Sequence, residues 1–174
     1  MAAFIISRQK ACNKFLIAIL IIISFLLPLH IFAQNQLTID QFLSNPFDFV
    51  PNSTTIIDKF HFDFQISKVA VRNKYVTEVK DTIIRMEYKK SLINIYKEGT
   101  GEKLNLVDIQ NKNIILRNGI QIGMKREALE KQFHWFPKSA KKGITIYSED
   151  QTRRCTFIFK RNKLNRVRYE ALIQ

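Results

Sequence analysis

In GIQIGMKREALEKQF, residues 119–133, the hydrophobic period changes from that of a strand to that of a helix. Ile120 and Ile122 alternate with Gln121, as in a strand that buries one face. Gly123 then permits a tight turn, because glycine adopts positive φ without a steric penalty. The stretch predicts a strand end, a glycine turn and a short helix.

The predicted helix after Gly123 has one apolar and one charged face. Its apolar face is formed by Met124, Ala128, Leu129 and Phe133. Met124 and Lys125 stand where Ser, Thr, Asp or Asn would satisfy the first backbone N–H groups of the helix. We therefore expect packing on a sheet, rather than local propensity, to stabilise this helix.

Three strand-like runs follow the helix, at residues 144–148, 154–160 and 164–171. Charged or Asn-containing turns separate them. The C-terminal part of the chain therefore has the predicted order helix, strand, strand, strand.

Ile120, Ile122-Gly123-Met124 and Ala128-Leu129, followed by this meander, resemble β-lactamase-inhibitor-protein-like domains and, more loosely, the outer-membrane assembly lipoproteins of the SmpA/OmlA (BamE) type. The resemblance covers roughly residues 114–172 and implies an α-β-β-β architecture. The chain also resembles uncharacterised secreted proteins of Gram-negative bacteria.

Two features differ from the lipoprotein group. The Gly-x-Pro that commonly follows its helix is replaced by His134-Trp135-Phe136-Pro137, and no lipobox cysteine ends the N-terminal apolar segment. The resemblance therefore implies the architecture and not a role in outer-membrane assembly.

Residues 1–33 have the pattern of a secretory signal peptide. A basic N-terminal region without acidic residues precedes the apolar residues 15–29, and Ala33 is small enough for cleavage before Gln34. The apolar run is shorter than the roughly 20 residues that span a bilayer. We predict cleavage and a periplasmic or secreted protein; the alternative is a membrane anchor formed by an uncleaved N-terminal segment.

The mature chain, residues 34–174, is predicted to form a single domain. Cys12 leaves with the signal segment, so Cys155 has no partner for an intrachain disulfide. The signal segment also carries three basic residues, and its removal lowers the net charge from +13 to +10. This balance favours anionic surfaces in general and does not predict sequence-specific binding of nucleic acid.

The N-terminal half of the mature chain also contains helix and strand patterns. We predict a short helix within residues 36–45 and a strand over residues 60–66, in which aromatic and polar residues alternate. A turn or bulge at residues 67–68 is expected because the apolar parity changes there. Further strands are predicted at residues 84–88 and 92–97.

These patterns predict an α+β domain in which two short helices pack on an antiparallel sheet. Two interpretations of the chain stay open. Residues 36–112 and 113–174 are either two divergent α-β-β-β repeats that share one sheet, or parts of one meandering sheet with two helices.

The sequence predicts no enzyme. The patterns GxSxG, HExxH and GxxxxGK[ST] are absent. Only His61 and His134 remain after signal removal, so the commonest general base is scarce. We expect a non-catalytic protein without a cofactor.

His61 and Asp63, with His134 or Cys155, contain metal-ligating atoms without the spacing of a recognised metal motif, so we expect no metal site. The parity that Cys155 shares with Phe157 instead predicts a small core residue.

The last two predicted strands place basic side chains on the face opposite their apolar residues. This predicted basic face consists of Arg154, Lys160, Arg166 and Arg168, with Lys138, Lys141 and Lys142 from the preceding loop. Such a face attracts phosphate, lipid headgroups, acidic glycans or an acidic protein. The alternative is an ordinary solvated face, on which Glu149, Asp150 and Glu170 act as partial counter-charges.

Trp135 and Phe136 are a second pair of candidate binding residues. Two adjacent aromatic side chains do not both point into the core from a regular strand, so one of them is a candidate anchor for a partner. The alternative is that both cover the sheet edge from a loop.

The leading hypothesis is an exported, non-catalytic domain that binds an unidentified protein or component of the cell envelope. The competing hypothesis is an anion-binding module for lipid headgroups, polysaccharide or nucleic acid that uses the basic face. Salt distinguishes them, because a largely electrostatic contact weakens steeply as salt is raised.

Overall fold

Alternation of apolar and polar residues from Lys80 onward produces a structure dominated by strands. The computed structural model describes residues 36–73, 76, 78–138 and 142–172. The predicted signal peptide, residues 1–33, and Lys141 lie outside the described residues. Within those residues, no helix has the length and apolar character needed to cross a membrane.

The described residues contain three α-helices and seven strands. The helices are α1 (Ile39–Ser44), α2 (Ser53–Phe60) and α3 (Arg126–Glu130). The strands are β1 (Gln65–Arg72), β2 (Lys80–Tyr88), β3 (Ser91–Glu98), β4 (Gly101–Ile109), β5 (Gly143–Tyr147), β6 (Arg153–Lys160) and β7 (Lys163–Ala171). A short 3-10 turn, Arg117–Gly119, precedes α3.

All seven strands form one antiparallel sheet in the order β1-β2-β3-β4-β7-β6-β5. The meander β1–β4 and the meander β5–β7 meet where β4 pairs with β7. The predicted α+β class and antiparallel sheet are confirmed in this form, and the sheet accounts for more of the chain than the helices do. The expectation of two helices is corrected to three.

One face of the sheet carries the core. Phe157 of β6 is fully buried there, with ring centroids 5.8 Å from Phe42 of α1 and 6.2 Å from Phe133. Tyr169 of β7 donates its hydroxyl to the carbonyl of Leu43 at 3.1 Å, which ties α1 to the sheet. Cys155 is also fully buried on this face, as its parity predicted, and burial raises the pKa of its thiol.

The predicted helix within residues 36–45 is α1. Its start has a capping box, in which the Thr38 hydroxyl accepts from the Gln41 N–H at 3.1 Å and the Gln41 side chain accepts from the Thr38 N–H at 2.9 Å.

The strand predicted over residues 60–66 is wrong for residues 60–64, and only its last two residues lie in a strand, at the start of β1. Phe60 is the last residue of α2, and His61 follows it in the left-handed conformation with φ of 50°. The aromatic side chains stack on one another instead of alternating across a sheet: the Phe62 ring lies 5.7 Å from Phe60 and 4.2 Å from Tyr88, centroid to centroid. This stacking buries aromatic surface without a strand.

The turn predicted at residues 67–68 is also wrong, because β1 pairs with β2 without interruption from Gln65 opposite Glu87 to Arg72 opposite Lys80. The apolar parity changes because β1 is an edge strand whose side chains are nearly all exposed, so neither face requires apolar residues.

The stretch 119–133 contains the predicted turn and helix but not the predicted strand end. Gly123 has φ of 95°, and its N–H donates to the carbonyl of Leu164 in β7 at 2.7 Å. Ile120 is fully buried in irregular chain that follows the 3-10 turn. No side chain caps α3, and the buried Leu129 and Phe133 hold it to the core, as the poor N-cap predicted.

Substitution of Gly123 tests the turn that precedes α3 and is hydrogen-bonded to β7. No heavy atom lies within 4 Å of a Cβ built on Gly123, so the cost of Gly123→Ala is the left-handed backbone of an alanine, about 1–2 kcal/mol of unfolding free energy. Gly143→Ala is the control, because a Cβ there meets only the Phe157 carbonyl at 4.0 Å. Urea unfolding measures both, and equal losses of stability would contradict this account.

Candidate functional site

The face of the sheet opposite the core, called the outer face below, has exposed or half-buried side chains arranged in two rows that cross six strands. The first row contains Arg85, Asn94, Leu106, Glu170, Arg154 and Tyr147, and the second contains Glu87, Leu92, Asp108, Arg168, Thr156 and Thr145. Neighbours within a row are direct cross-strand partners, a position that brings Cβ atoms within about 5.5 Å of each other.

Three members of the predicted basic face, Arg154, Arg166 and Arg168, lie on the outer face, and each contacts a carboxylate. Arg154 and Arg168 both donate to Glu170. Arg166 donates through Nε to Asp108 of β4 at 2.7 Å. These arginines therefore belong to a charge-paired surface rather than to one with a single sign.

The titration of the paired groups agrees with their contacts. Burial acts to raise the pKa of Glu170, but hydrogen bonds from Arg154 and Arg168 outweigh it and lower the pKa below its ordinary value. The hydrogen bond to Asp108 raises the pKa of Arg166. Glu170 is thus held as a carboxylate between two guanidinium groups.

Apolar side chains stand among these ion pairs. Leu92 and Leu106 are half-buried in the centre of the two rows, and Tyr147 is 55% exposed at the β5 end. The outer face therefore combines apolar and aromatic area with ordered charges.

Two further members of the predicted basic face, Lys160 and Lys142, lie at another place. They line a hollow of about 730 Å³ at the β6–β7 hairpin, called the basic pocket below. Its lining consists of Arg126, Lys142, Ile158, Phe159, Lys160, Arg161, Asn162 and Asn165. Lys138 instead lines a separate hollow beside Trp135, and Lys141 lies outside the described residues.

The structure separates the two aromatic candidates. Trp135 is 67% exposed in the loop after α3. Phe136 is buried, with its ring centroid 5.2 Å from Phe133 and 5.6 Å from Phe157. Phe136 as a partner anchor is therefore corrected to a core residue, and Trp135 is the exposed member of the pair.

Four residues with metal-ligating atoms were considered from the sequence: His61, Asp63, His134 and Cys155. Across residues 36–73, 76, 78–138 and 142–172, no group of three or more His, Cys, Asp or Glu side chains is placed to hold a metal ion. His61 caps the end of α2, and Cys155 is buried in the core.

The sequence patterns did not identify four polar residues of the basic pocket as candidate binding residues: Arg126, Arg161, Asn162 and Asn165. Two of them carry a local signal, because Arg161-Asn162 separates two alternating strands as a turn does. Arg126 reaches the pocket through the packing of α3 against the hairpin, which no local pattern encodes.

Comparison of the chain with models of protein families, with curated proteins and with solved structures finds no match. The resemblance to β-lactamase-inhibitor-like and BamE-like proteins therefore stays a prediction.

Glu170→Gln tests the charge pairing of the outer face. The pKa of Glu170 is lowered in the folded state, so its contribution to stability is present above its unfolded pKa of about 4.3 and is lost as pH falls through the folded value. We expect the substitution to lower the unfolding free energy by about 1 kcal/mol at pH 7 and the difference to shrink between pH 5 and the folded pKa.

Urea midpoints of both proteins across this pH range provide the measurement. Glu149→Gln is the matched control, because the Glu149 side chain is exposed, and we expect little change at any pH. A Glu170→Gln difference that stays constant on acidification would mean that the residue acts through packing and not through charge.

Proposed function

We propose that this protein is an exported, non-catalytic binding domain whose outer face receives a partner protein of the cell envelope or the extracellular medium. The observation that carries the proposal is the pair of in-register rows on the outer face, which bring Leu92, Leu106 and Tyr147 together with the ion-paired Arg154 and Arg168.

The composition of the outer face supports a protein partner. Protein interfaces are enriched in tyrosine and arginine around an apolar centre. Tyr147 and the two central leucines supply the aromatic and apolar area, and Arg154 and Arg168 supply guanidinium groups.

The ion pairs also prepare this surface for binding. Glu170 restrains both Arg154 and Arg168, so less side-chain entropy is lost when a partner contacts them. The same pairs favour a partner with both signs of charge over one with a single sign, because a single-sign surface would repel half of the charged groups.

The competing hypothesis, an anion site built from Arg154, Lys160, Arg166 and Arg168, has less support from the geometry. Glu170 and Asp108 already contact three of these four residues and offset two of their three positive charges. An anionic ligand would compete with these intramolecular carboxylates for the same donors.

We also propose that residues 36–112 and 113–174 are divergent α-β-β-β repeats. The strand order supports this. On one side of the sheet β2, β3 and β4 lie in order toward the centre, and on the other side β5, β6 and β7 do the same, so that the last strands of the two sets, β4 and β7, pair with each other. In this interpretation β1 is an added edge strand of the first repeat.

Site-specific photo-crosslinking in the producing cells tests the binding proposal. A photo-reactive phenylalanine analogue replaces Tyr147 or Thr156 on the outer face, and Asp58 on the exposed side of α2 serves as the matched control. We expect one and the same protein to be captured from Tyr147 and Thr156 and not from Asp58.

The same analogue at Trp135 distinguishes the two candidate surfaces. Capture of a protein from Trp135, with none from Tyr147 or Thr156, would transfer the binding role to the loop after α3. Equal capture from all positions, Asp58 included, would contradict a defined interface.

A further inference from the structure

The basic pocket concentrates positive charge in a concave surface. Its charged lining residues are Arg126, Lys142, Lys160 and Arg161, and two amide side chains, Asn162 and Asn165, complete its polar lining. Among the described residues that line it, none is acidic. The pocket therefore differs in kind from the charge-paired outer face next to it.

The fold, and not sequence proximity, brings these groups together. The Arg126 N–H donates to the carbonyl of Asn162 at 3.0 Å, which joins the start of α3 to the hairpin turn. The Phe159 N–H donates to the carbonyl of Lys142 at 2.7 Å, which joins the segment before β5 to β6. Three separate parts of the chain thus supply the cationic groups.

The hairpin itself is irregular at the pocket. Phe159 pairs with Leu164 and Ile158 pairs with Arg166, so Asn165 is an extra residue without a cross-strand partner. Arg161 and Asn162 both have positive φ, at 51° and 59°. Bulges of this kind redirect side chains and occur next to functional sites more often than elsewhere.

The arrangement of charges favours an anionic ligand. The guanidinium carbon of Arg126 lies 4.2 Å from the centroid of the Phe159 ring, so the ring restrains its position before a ligand arrives. The ion pairs of the described residues involve neither Lys160 nor Arg161. The like charges of Lys160 and Arg161 repel each other in this hollow, and a bound anion relieves that repulsion.

We propose that the basic pocket binds a phosphorylated sugar or cyclic polyol, either free or as the headgroup of a lipid. Guanidinium and ammonium groups donate to phosphate oxygens. The amides of Asn162 and Asn165 both donate and accept hydrogen bonds, which suits sugar hydroxyls. A volume of about 730 Å³ is in the range of small-molecule sites. This site goes beyond the proposed function, since it does not depend on a protein partner at the outer face.

Calorimetric titration of the protein, as processed by an exporting host, tests the proposal. The probes are glucose 1,6-bisphosphate, glucose 1-phosphate, glucose and inorganic phosphate. We expect affinity to fall in the order bisphosphate, monophosphate, inorganic phosphate, with no binding of glucose. Phosphatidylcholine vesicles with and without phosphatidylinositol phosphate form a second arm, in which binding that depends on the phosphorylated lipid identifies a headgroup as the source.

The double substitution Lys160→Gln and Arg161→Gln should weaken binding of the bisphosphate by about tenfold or more, because charge-assisted hydrogen bonds are lost. Both side chains are exposed, so the fold should persist, and an unchanged urea midpoint verifies this. The double substitution Lys59→Gln and Arg72→Gln removes the same charge from exposed positions in α2 and β1 and should change the affinity less than about threefold.

Three outcomes would overturn the proposal. Equal weakening in the two double variants would mean attraction by net charge and no site. Inorganic phosphate bound as tightly as the sugar phosphates would mean that the pocket recognises any small anion. Failure of every probe and vesicle to bind would exclude the ligand class.

Discussion

The pairing of β4 with β7 is the contact on which the rest of the structure depends. Four residue pairs, from Leu106 opposite Glu170 to Ile109 opposite Val167, join the two meanders into one sheet. Val107 and its cross-strand partner Tyr169 are buried on the core side of this pair. On the outer side Arg166 of β7 donates to Asp108 of β4. Both faces of the molecule are therefore continuous only because this central pair forms.

The C-terminal strands and the glycine turn could be predicted from local pattern, because a hairpin with one buried face has period-two alternation that a short window detects. Structural reasons explain the failures. Around Phe62, aromatic and polar residues alternate as they do in a strand. The chain there is irregular, however, and the aromatic rings stack on one another after the end of α2. The side chains of β1 are exposed at the sheet edge, so its sequence shows no consistent parity.

The candidate sites were only partly predictable for a related reason. Parity along each of the two strands β6 and β7 correctly placed Arg154, Arg166 and Arg168 on a common face. The partner of Arg166, however, is Asp108 on a strand whose position beside β7 no local pattern specifies. The basic pocket depends in addition on the extra residue Asn165 and on the docking of α3. Charge composition indicates a basic surface, and only the tertiary structure separates charges that are neutralised from those that converge.

One cooperative sheet carries both the outer face and the core, and residue-resolved hydrogen–deuterium exchange of backbone amides tests this most directly. We expect amides of residues 106–109 and 167–170 to exchange among the slowest in the protein, through global unfolding, and those of the edge strand β1 to exchange first. Faster exchange at the β4–β7 pair than within the β2–β3 or β5–β6 pairs would show that the two meanders open independently, and would contradict it.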